Sequence, residues 1–500
     1  MPPVRLLQIL AGTTLLLTFT YFLVRQPATD PRFPLASWQT YSPDFHNNGT
    51  LDIEVLRQIR DLPQEFDYQR YCVFAKENPA LHRESVIRFS EEMLDEGASS
   101  DIRLDDGNIP NPEEQSVFPT CHSSFTLEVP EFSSHGQTST KSLMLGVATT
   151  LKRIEESLPT FSRWLSNTGS PLVVLLVDQQ NLDEKQEEIN RVNTLASTLA
   201  IELIFEPYKS TYTHDSEGLK NFALATALDK HRRPETKWFG VIDDDTFFLS
   251  LPRMVENLAP FDPEKQWYIG ALTEGHTRVS QEGFKAWGGA GFFISPPLMQ
   301  ILAENAVECT PLDRYFGDIL WRDCIMEVTS PTVHLTEMKG LNQIDMWKDI
   351  SGWYEAGFNP ILTVHHWKSW HFFPIAISHI VTDVAGPDAL LQRYQFGNHT
   401  VFTNGYSIVQ YPRGVPDLNL VELTMTEDVN VKRPPEPLEF HHSMGKTRPA
   451  LEYGKEKISW LFEHAVKTAD NTVRQFYVKR TTRDPDGPVE SIIEVDWRHA

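Results

Sequence analysis

From Ser142 onward the apolar positions keep changing period. Leu143 to Thr149 is an almost unbroken apolar run, the pattern of a strand buried on both faces. Ile154, Leu158, Phe161 and Leu165 then recur at helical spacing. Leu172 to Val177 is a second buried strand that ends on Asp178, Leu182 to Leu199 a polar helix, and Ile201 to Phe205 a third strand. Gly218 to Lys230 is a helix with Leu219, Phe222, Ala223 and Thr226 on one side, and Trp238 to Ile242 is a fourth strand. Leu251, Met254, Val255 and Leu258 form one face of a short helix capped by Ser250, and Trp267 to Leu272 is again a strand. This alternation predicts a parallel α/β sheet with helices on both faces. Ligands of such sheets bind beyond the carboxyl ends of the strands.

The flanks read differently. Residues 66–140 are mixed: Glu84 to Glu96 has the spacing of a helix, and Asp101 to Glu114 reads as an acidic loop. Beyond residue 375 the alternation stops. Thr400–Tyr411, Lys457–Leu461, Val473–Val478 and Ser491–Trp497 read as strands of a β-rich extension. At the start, Leu6 to Val24 is 19 residues without a charge, between Arg5 and Arg25. At ~1.5 Å per residue it spans ~28 Å, about one bilayer core. We expect an uncleaved signal anchor rather than a signal peptide, which has a shorter apolar stretch. The resulting order is a cytosolic tail (1–5), a transmembrane anchor (6–24), a Pro- and polar-rich stem (25–65), an N-terminal extension (66–140), the α/β domain (141–375) and the β-rich extension (376–500).

Composition narrows the field. Lys+Arg 45 against Asp+Glu 68 gives a net charge of −23, which argues against nucleic-acid binding. The four cysteines do not have zinc-site spacing. Cys309 and Cys324 are near enough to close a small loop around Asp318, and Cys72 and Cys121 are the other candidate pair; the sequence does not fix the connectivity, and four buried free thiols are the alternative. Asn48-Gly49-Thr50 and Asn398-His399-Thr400 are N-glycosylation acceptor triplets.

The chemistry concentrates where the fourth strand stops on Asp243-Asp244-Asp245. Three adjacent carboxylates repel one another, and a hard divalent cation offsets that repulsion. In an extended chain Asp243 and Asp245 point the same way and Asp244 the other. An acidic surface turn is the plainer alternative. Thr149 and Asp178 also stand at strand ends, and this coincidence favours a ligand site, although Asp178 can equally cap its turn. Trp287-Gly288-Gly289-Ala290-Gly291 permits close backbone approach to a ligand, but its spacing is not that of a dinucleotide fingerprint.

At this point the sequence resembles glycosyltransferase family 31, which includes the Fringe-like enzymes and the core-1 β-1,3-galactosyltransferases. Val241-Ile242-Asp243-Asp244-Asp245-Thr246-Phe247-Phe248 resembles its metal motif, and Gly146-Val147-Ala148-Thr149-Thr150 with Arg153 its first nucleotide-contacting strand and helix. Gly288-Gly289-Ala290-Gly291 resembles the glycine turn beside the donor sugar. Phe316-Gly317-Asp318-Ile319 followed by Cys324 resembles the acidic motif that carries the base, and Val364-His365-His366-Trp367 the late histidine motif. The resemblance spans roughly residues 140–375 and is nearest to the fungal, membrane-anchored branch.

The resemblance implies a GT-A fold, a Rossmann-like mixed sheet with helices on both faces. It also implies an inverting mechanism with a UDP-sugar donor and Mn²⁺ (or Mg²⁺). Asp245 and His365 would ligate the metal, with His366 the alternative histidine and Asp243 the helper. Thr149, Arg153, Asp178, Asp243, Asp244, Gly288 and Gly289 would line the donor site, although Asp244, pointing away, also reads as structural. Asp318 would be the base. Gly317 stands where many relatives carry a second acid, which keeps Asp313 and Asp323 open as bases. Trp287, Trp347 and Trp353 are candidates for stacking on an acceptor sugar, against an ordinary core role. The expected activity is transfer of galactose or N-acetylglucosamine to a glycan or glycoprotein, forming a β-1,3 linkage, by a single-pass type II protein of the Golgi or ER–Golgi membrane. The alternatives are an inactive carbohydrate- or UDP-binding protein and a metal-dependent phosphoester hydrolase.

Overall fold

A computed structural model describes residues 53–94, 100–103, 121–131, 138–209, 215–346, 349–357, 360–368, 373–424, 445–482 and 487–499. They belong to one compact unit, Ser42–Ala500, and the second unit, Met1–Tyr41, lies outside the described residues. The expected cytosolic tail, the anchor at 6–24, residues 25–52 of the stem, Asn48 and Trp347 lie outside them too. Among the described residues no helix is long and apolar enough to cross a membrane.

Four strands come first: β1 (Glu65–Asn78), β2 (Val86–Phe89), β3 (Ser100–Arg103) and β4 (Ser123–Pro130). The helix expected over Glu84–Glu96 is therefore wrong. Val86, Ile87 and Phe89 are strand formers that find a partner strand far along the chain, and this pairing overrides a short helical pattern.

The α/β region follows: β5 (Leu143–Thr149), β6 (Leu172–Leu176), β7 (Leu203–Pro207), β8 (Trp238–Ile242), β9 (Phe247–Phe248), β10 (Tyr268–Gly270), β11 (Phe292–Ile294), β12 (Leu335–Glu337) and β13 (Thr363–Val364). Seven of these make one sheet, in the order β12-β10-β11-β8-β5-β6-β7. β5 to β8 are parallel, and β11 runs antiparallel to both β8 and β10. The sheet is mixed rather than parallel throughout, and strand order reverses at β5, with β6 on one side and β8 on the other. Alternate residues of each strand enter two cores. Leu145, Val147 and Val174 face the helices Leu151–Leu165 and Gln186–Thr198. Met144, Val173 and Val241 face the helices Glu217–Phe222, Leu224–Lys230, Pro296–Glu304 and Gly317–Val328. The single helix expected over 218–230 is thus two, with Ala223 at the break.

Then come β14 (Arg393–Phe396), β15 (Thr400–Thr403), β16 (Ser407–Gln410), β17 (Val421–Glu422), β18 (Thr447–Arg448), β19 (Ile458–Lys467), β20 (Val473–Arg480) and β21 (Val489–His499). Thr400–Tyr411 is a hairpin rather than one strand, turning at Asn404-Gly405, where Gly405 has φ +79. Asn398 is exposed in the β14–β15 turn. The two flanks of the sequence are one sheet: β2-β14-β15-β16-β19-β20-β21-β1-β3, with β4 also on β1. Tyr71, Val73, Tyr394, Phe402 and Trp497 of this sheet share a core with Ile154, Phe161 and Trp164 of the α/β region. The four cysteines form two disulfides, Cys72–Cys121 and Cys309–Cys324.

Candidate functional site

The three acids lie where the topology reverses. β8 pairs with β5 in parallel, so the residues after Ile242 emerge beside Thr149. The chain returns at once as β9, which pairs antiparallel with β13 through Phe247↔Val364 and Phe248↔Thr363. This two-strand ribbon sets His365 and His366, the residues after β13, against the acids that precede β9.

Asp245 and His365 are both buried, and His365 Nε2 lies 2.9 Å from Asp245 Oδ1 and 3.6 Å from Asp243 Oδ2. The other ring nitrogen, Nδ1, is 3.1 Å from the Gln343 carbonyl oxygen. A carbonyl only accepts, so Nδ1 carries a hydrogen and Nε2 is the atom aimed at the acids. Burial pulls the His365 imidazole down, but the Asp245 and Asp243 carboxylates outweigh it, and its pKa rises to about 9. Burial alone would raise Asp245, yet His365, His366 and Lys368 hold it well below the usual carboxylate range. Asp243 is held above that range by lost hydration, with the charges of Asp245, Asp318 and Asp244 adding to the effect and His365 opposing it.

His366 also joins this cluster. Its Nδ1 is 4.0 Å from Asp245 Oδ2, while its Nε2 faces Asp345 Oδ1 at 3.2 Å. Asp345 is itself fixed by the Thr273 hydroxyl at 2.8 Å. His366 has φ +59, a left-handed conformation, two residues after β13. Asp245, His365 and His366 offer ligand atoms that all lie within 4.8 Å of one another. Two imidazole nitrogens and carboxylate oxygens suit a transition metal better than calcium. The donor set therefore fits a Mn²⁺-like ion.

Asp244 points the opposite way, as strand alternation requires. Arg153 grips it with two bonds of 2.6 Å, the Thr149 hydroxyl donates to it, and Lys368 Nζ is 3.5 Å away. Burial would raise its pKa, but Lys368 and Arg153 bring it down. Three residues expected at the donor site, Thr149, Arg153 and Asp244, are thus bonded to one another and brace the turn. The Arg153 side chain is half exposed, so one edge of its guanidinium still faces solvent. Asp178 is exposed on the turn after β6, with Lys185 as its neighbouring charge, and stands apart from the cluster.

The glycine turn fits against this cluster. A Cβ on Gly289 would stand 1.9 Å from His365 Cε1, so only glycine leaves room for the ring. A Cβ on Gly288 would lie 3.5 Å from Asp318 Oδ1 and 4.0 Å from Asp243 Oδ1. Gly288 therefore stands beside both Asp318 and the Asp243 carboxylate of the metal cluster. Asp318 sits in the first turn of the helix Gly317–Val328, whose cap position is Phe316. The other acids left open as bases have partners of their own, as Asp318 does. Asp313 accepts from the Tyr315 N–H at 3.0 Å, and Asp323 pairs with Arg322 at 2.7 Å. Gly317 also has a structural reason, because a Cβ there would meet the Asn221 side chain at 2.7 Å.

Lys285 was not visible as a site residue. It is 1 % exposed, and its Nζ is 2.9 Å from Asp318 Oδ2, 3.3 Å from Glu282 Oε2 and 3.4 Å from the centroid of the Trp287 ring. Trp287 and Trp353, candidates for stacking on an acceptor, are both buried and take the core role instead. Trp287 lies under Lys285 as a cation–π partner, and Trp353 packs on Tyr354 at 4.8 Å. Their aromatic faces are used inside the protein.

A family model described as a protein of unknown function, DUF604, matches residues 280–392, the stretch that holds Lys285, Gly288, Gly289, Asp318 and His365. No curated protein matches the chain. The chain is similar to a mannosyltransferase from Pyrobaculum calidifontis solved with GDP-Man and Mn²⁺, at 13% identity over 40% of this chain and 55% of that one, with a TM-score of 0.27. It is also similar to mouse xyloside xylosyltransferase 1, at 12% identity over 41% of this chain and 86% of that one, TM-score 0.26. A third similar structure is the galactosyltransferase LgtC with donor and acceptor sugar analogs, at 10% identity over 47% and 81%, TM-score 0.27. The chain thus covers just over half the length of the mannosyltransferase. Similarity this low carries no weight for activity, and the functional reading rests on the site's own geometry.

Proposed function

We propose that this protein is a metal-dependent glycosyltransferase that takes a sugar from a UDP-sugar donor with inversion. The observation that carries the reading is the company that Gly288 keeps. A carboxylate–imidazole cluster with metal-ligand chemistry stands beside it, and so does a separate carboxylate, Asp318. The cluster lies at the carboxyl ends of β5 and β8, where strand order reverses, the place where α/β sheets bind nucleotides.

The residues to hold the cation are Asp243, Asp245 and His365, with His366 beside them. When bound, the ion supplies positive charge against the diphosphate of the leaving UDP. Asp318 accepts the proton of an acceptor hydroxyl. That oxygen bonds to the anomeric carbon as the bond to the diphosphate oxygen breaks, and UDP departs with the electron pair. One displacement converts an α-linked donor into a β-linked product, with no protein nucleophile. Lys285 holds Asp318 in place by their salt bridge. The specific reading is a β-1,3 galactosyl- or N-acetylglucosaminyltransferase acting on glycans or glycoproteins, on the luminal side of a Golgi-type membrane.

The test is a panel of UDP-sugars assayed with Mn²⁺ for hydrolysis and for transfer. We expect turnover of one donor, lost in Asp245→Ala together with Mn²⁺-dependent UDP binding. UDP binding unchanged in Asp245→Ala would remove the metal assignment. Tight UDP binding with no turnover of any donor would make this a binding protein, and turnover of simple phosphoesters a hydrolase.

A further inference from the structure

Among the described residues five large hydrophobic side chains are exposed: Phe284, Val307, Tyr315, Phe316 and Met326. Three of them flank the Lys285–Asp318 salt bridge in the chain. Phe284 precedes Lys285, and Tyr315-Phe316 is the turn that leads into Gly317-Asp318. Their exposures are 61 %, 47 % and 42 %. Exposed rings are costly in water, and most aromatic side chains among the described residues are buried or partly buried.

The turn is also held in place. Tyr315 has φ +79, which a bulky side chain rarely adopts. The backbone stays there because the Tyr315 N–H donates to Asp313 Oδ1 at 3.0 Å, and because the helix Glu217–Phe222 packs against it at Gly218. A Cβ on Gly218 would lie 3.1 Å from the Tyr315 carbonyl carbon. The Tyr315 and Phe316 rings stand edge to face, with centroids 5.7 Å apart. The Cys309–Cys324 disulfide closes the loop that carries both rings and Asp318. Strain maintained by so many contacts, at a turn that presents two rings to solvent, points to a ligand.

We propose that Tyr315 and Phe316 form the acceptor subsite and that its occupant is a carbohydrate. This rests on the glycosyltransferase reading and extends it to the second substrate. An acceptor must bring a hydroxyl to Asp318, and this exposed pair of rings stands immediately before it in the chain. A pyranose has a face of C–H bonds and a rim of hydroxyls. The face packs on the electron-rich ring surface while the rim stays free for polar partners. The buried Trp287 and Trp353 cannot offer such a surface, so acceptor recognition moves from the tryptophans to the turn before the base.

The test uses the full chain with UDP and Mn²⁺ present, and the methyl glycosides of galactose, N-acetylgalactosamine and N-acetylglucosamine as probes. Saturation-transfer NMR reads which sugar protons touch the protein. We expect transfer to the ring C–H protons of at least one glycoside. In the double variant Tyr315→Asn/Phe316→Ala its binding should weaken at least tenfold, while UDP–Mn²⁺ affinity and the thermal midpoint hold. Asn is chosen because it tolerates the left-handed backbone. The proposal is overturned if UDP binds but no glycoside does, or if the double variant binds glycoside as well as the parent. It is also overturned if the variant alters only sedimentation, which would make the rings a self-association surface. Failure of UDP–Mn²⁺ to bind the parent chain would instead remove the transferase reading, and this subsite with it.

Discussion

Replacing Gly289 with alanine adds one methyl group, and the structure says where it goes. The new Cβ would stand 1.9 Å from His365 Cε1 and 2.3 Å from both ring nitrogens. The backbone cannot easily retreat. The Gly289 carbonyl accepts from the Thr246 hydroxyl at 2.9 Å, and the next N–H, of Ala290, donates to Gln343 Oε1 at 3.0 Å. The ring must therefore move, by about 1.5 Å to reach ordinary van der Waals contact. Metal–ligand distances tolerate only about 0.2 Å, so Nε2 leaves coordination range. Losing orienting contacts around a metal ligand already costs 10–100-fold in affinity. Loss of the ligand itself should cost about 100-fold or more, roughly 2.7 kcal/mol. Isothermal titration of UDP at the Mn²⁺ concentration that half-saturates the parent reads this directly. Gly288→Ala is the control, because its Cβ would meet Asp318 and Asp243 at ordinary contact distances. It should keep UDP affinity within a few-fold and lower transfer by crowding Asp318. If Gly289→Ala bound UDP within threefold of the parent, His365 would not be a metal ligand.

Asp318→Asn keeps the shape of the base and removes its charge, so UDP–Mn²⁺ binding should persist while transfer falls by at least 100-fold; equal loss of both would show that Asp318 belongs to the metal site. Buried Asp349 has a pKa of about 2: burial alone would raise it, but Lys457 and hydrogen bonds from Ser351 and Ser459 outweigh burial. A depressed carboxylate stabilises above its unfolded pKa of ~3.9, and that stability is lost as pH falls toward 2. The difference in unfolding free energy between the parent and Asp349→Asn should shrink by about 2 kcal/mol across that window, measured by urea unfolding at stepped pH; a pH-independent difference would contradict it. The Cys309–Cys324 bridge closes a span of 15 residues, worth about 3 kcal/mol in the loop-entropy account, so Cys309→Ser/Cys324→Ser should lower the thermal midpoint.

What could be read from the chain alone was whatever depends on neighbours in sequence. The runs at 143–149, 172–177 and 238–242 are buried strands because they are apolar without interruption, and the acids at 243–245 stand out because they break such a run. Lys285 gave no signal, since a lone lysine among ordinary residues becomes informative only when the fold sets Asp318 2.9 Å from it. A core place is the ordinary expectation for Trp287, but its partner was hidden. Its ring faces Lys285 rather than solvent, a matter of tertiary packing that no periodicity encodes. Glu84–Glu96 misled because its strand partner, Arg393–Phe396, lies some 300 positions away. His366 was open as an alternative ligand, and only Asp345, reached across a separate loop, shows how its ring is aimed.

The sheet that joins the two flanks sets a timetable for biosynthesis. Tyr68 of β1 bonds to Glu494 of β21, 426 positions later. At ~5–20 residues per second, β1 waits roughly 20 to 90 s after synthesis before its partner exists. Until then its edge is open and its apolar face uncovered, a state in which strands seek other partners. The Cys72–Cys121 bridge joins β1 to the residue just ahead of β4, both early in the chain, and can form long before β21 arrives. That early crosslink would give the nascent chain a native strand pair to hold during the wait. A nascent-chain length series probed for thiol accessibility should find this pair oxidised first.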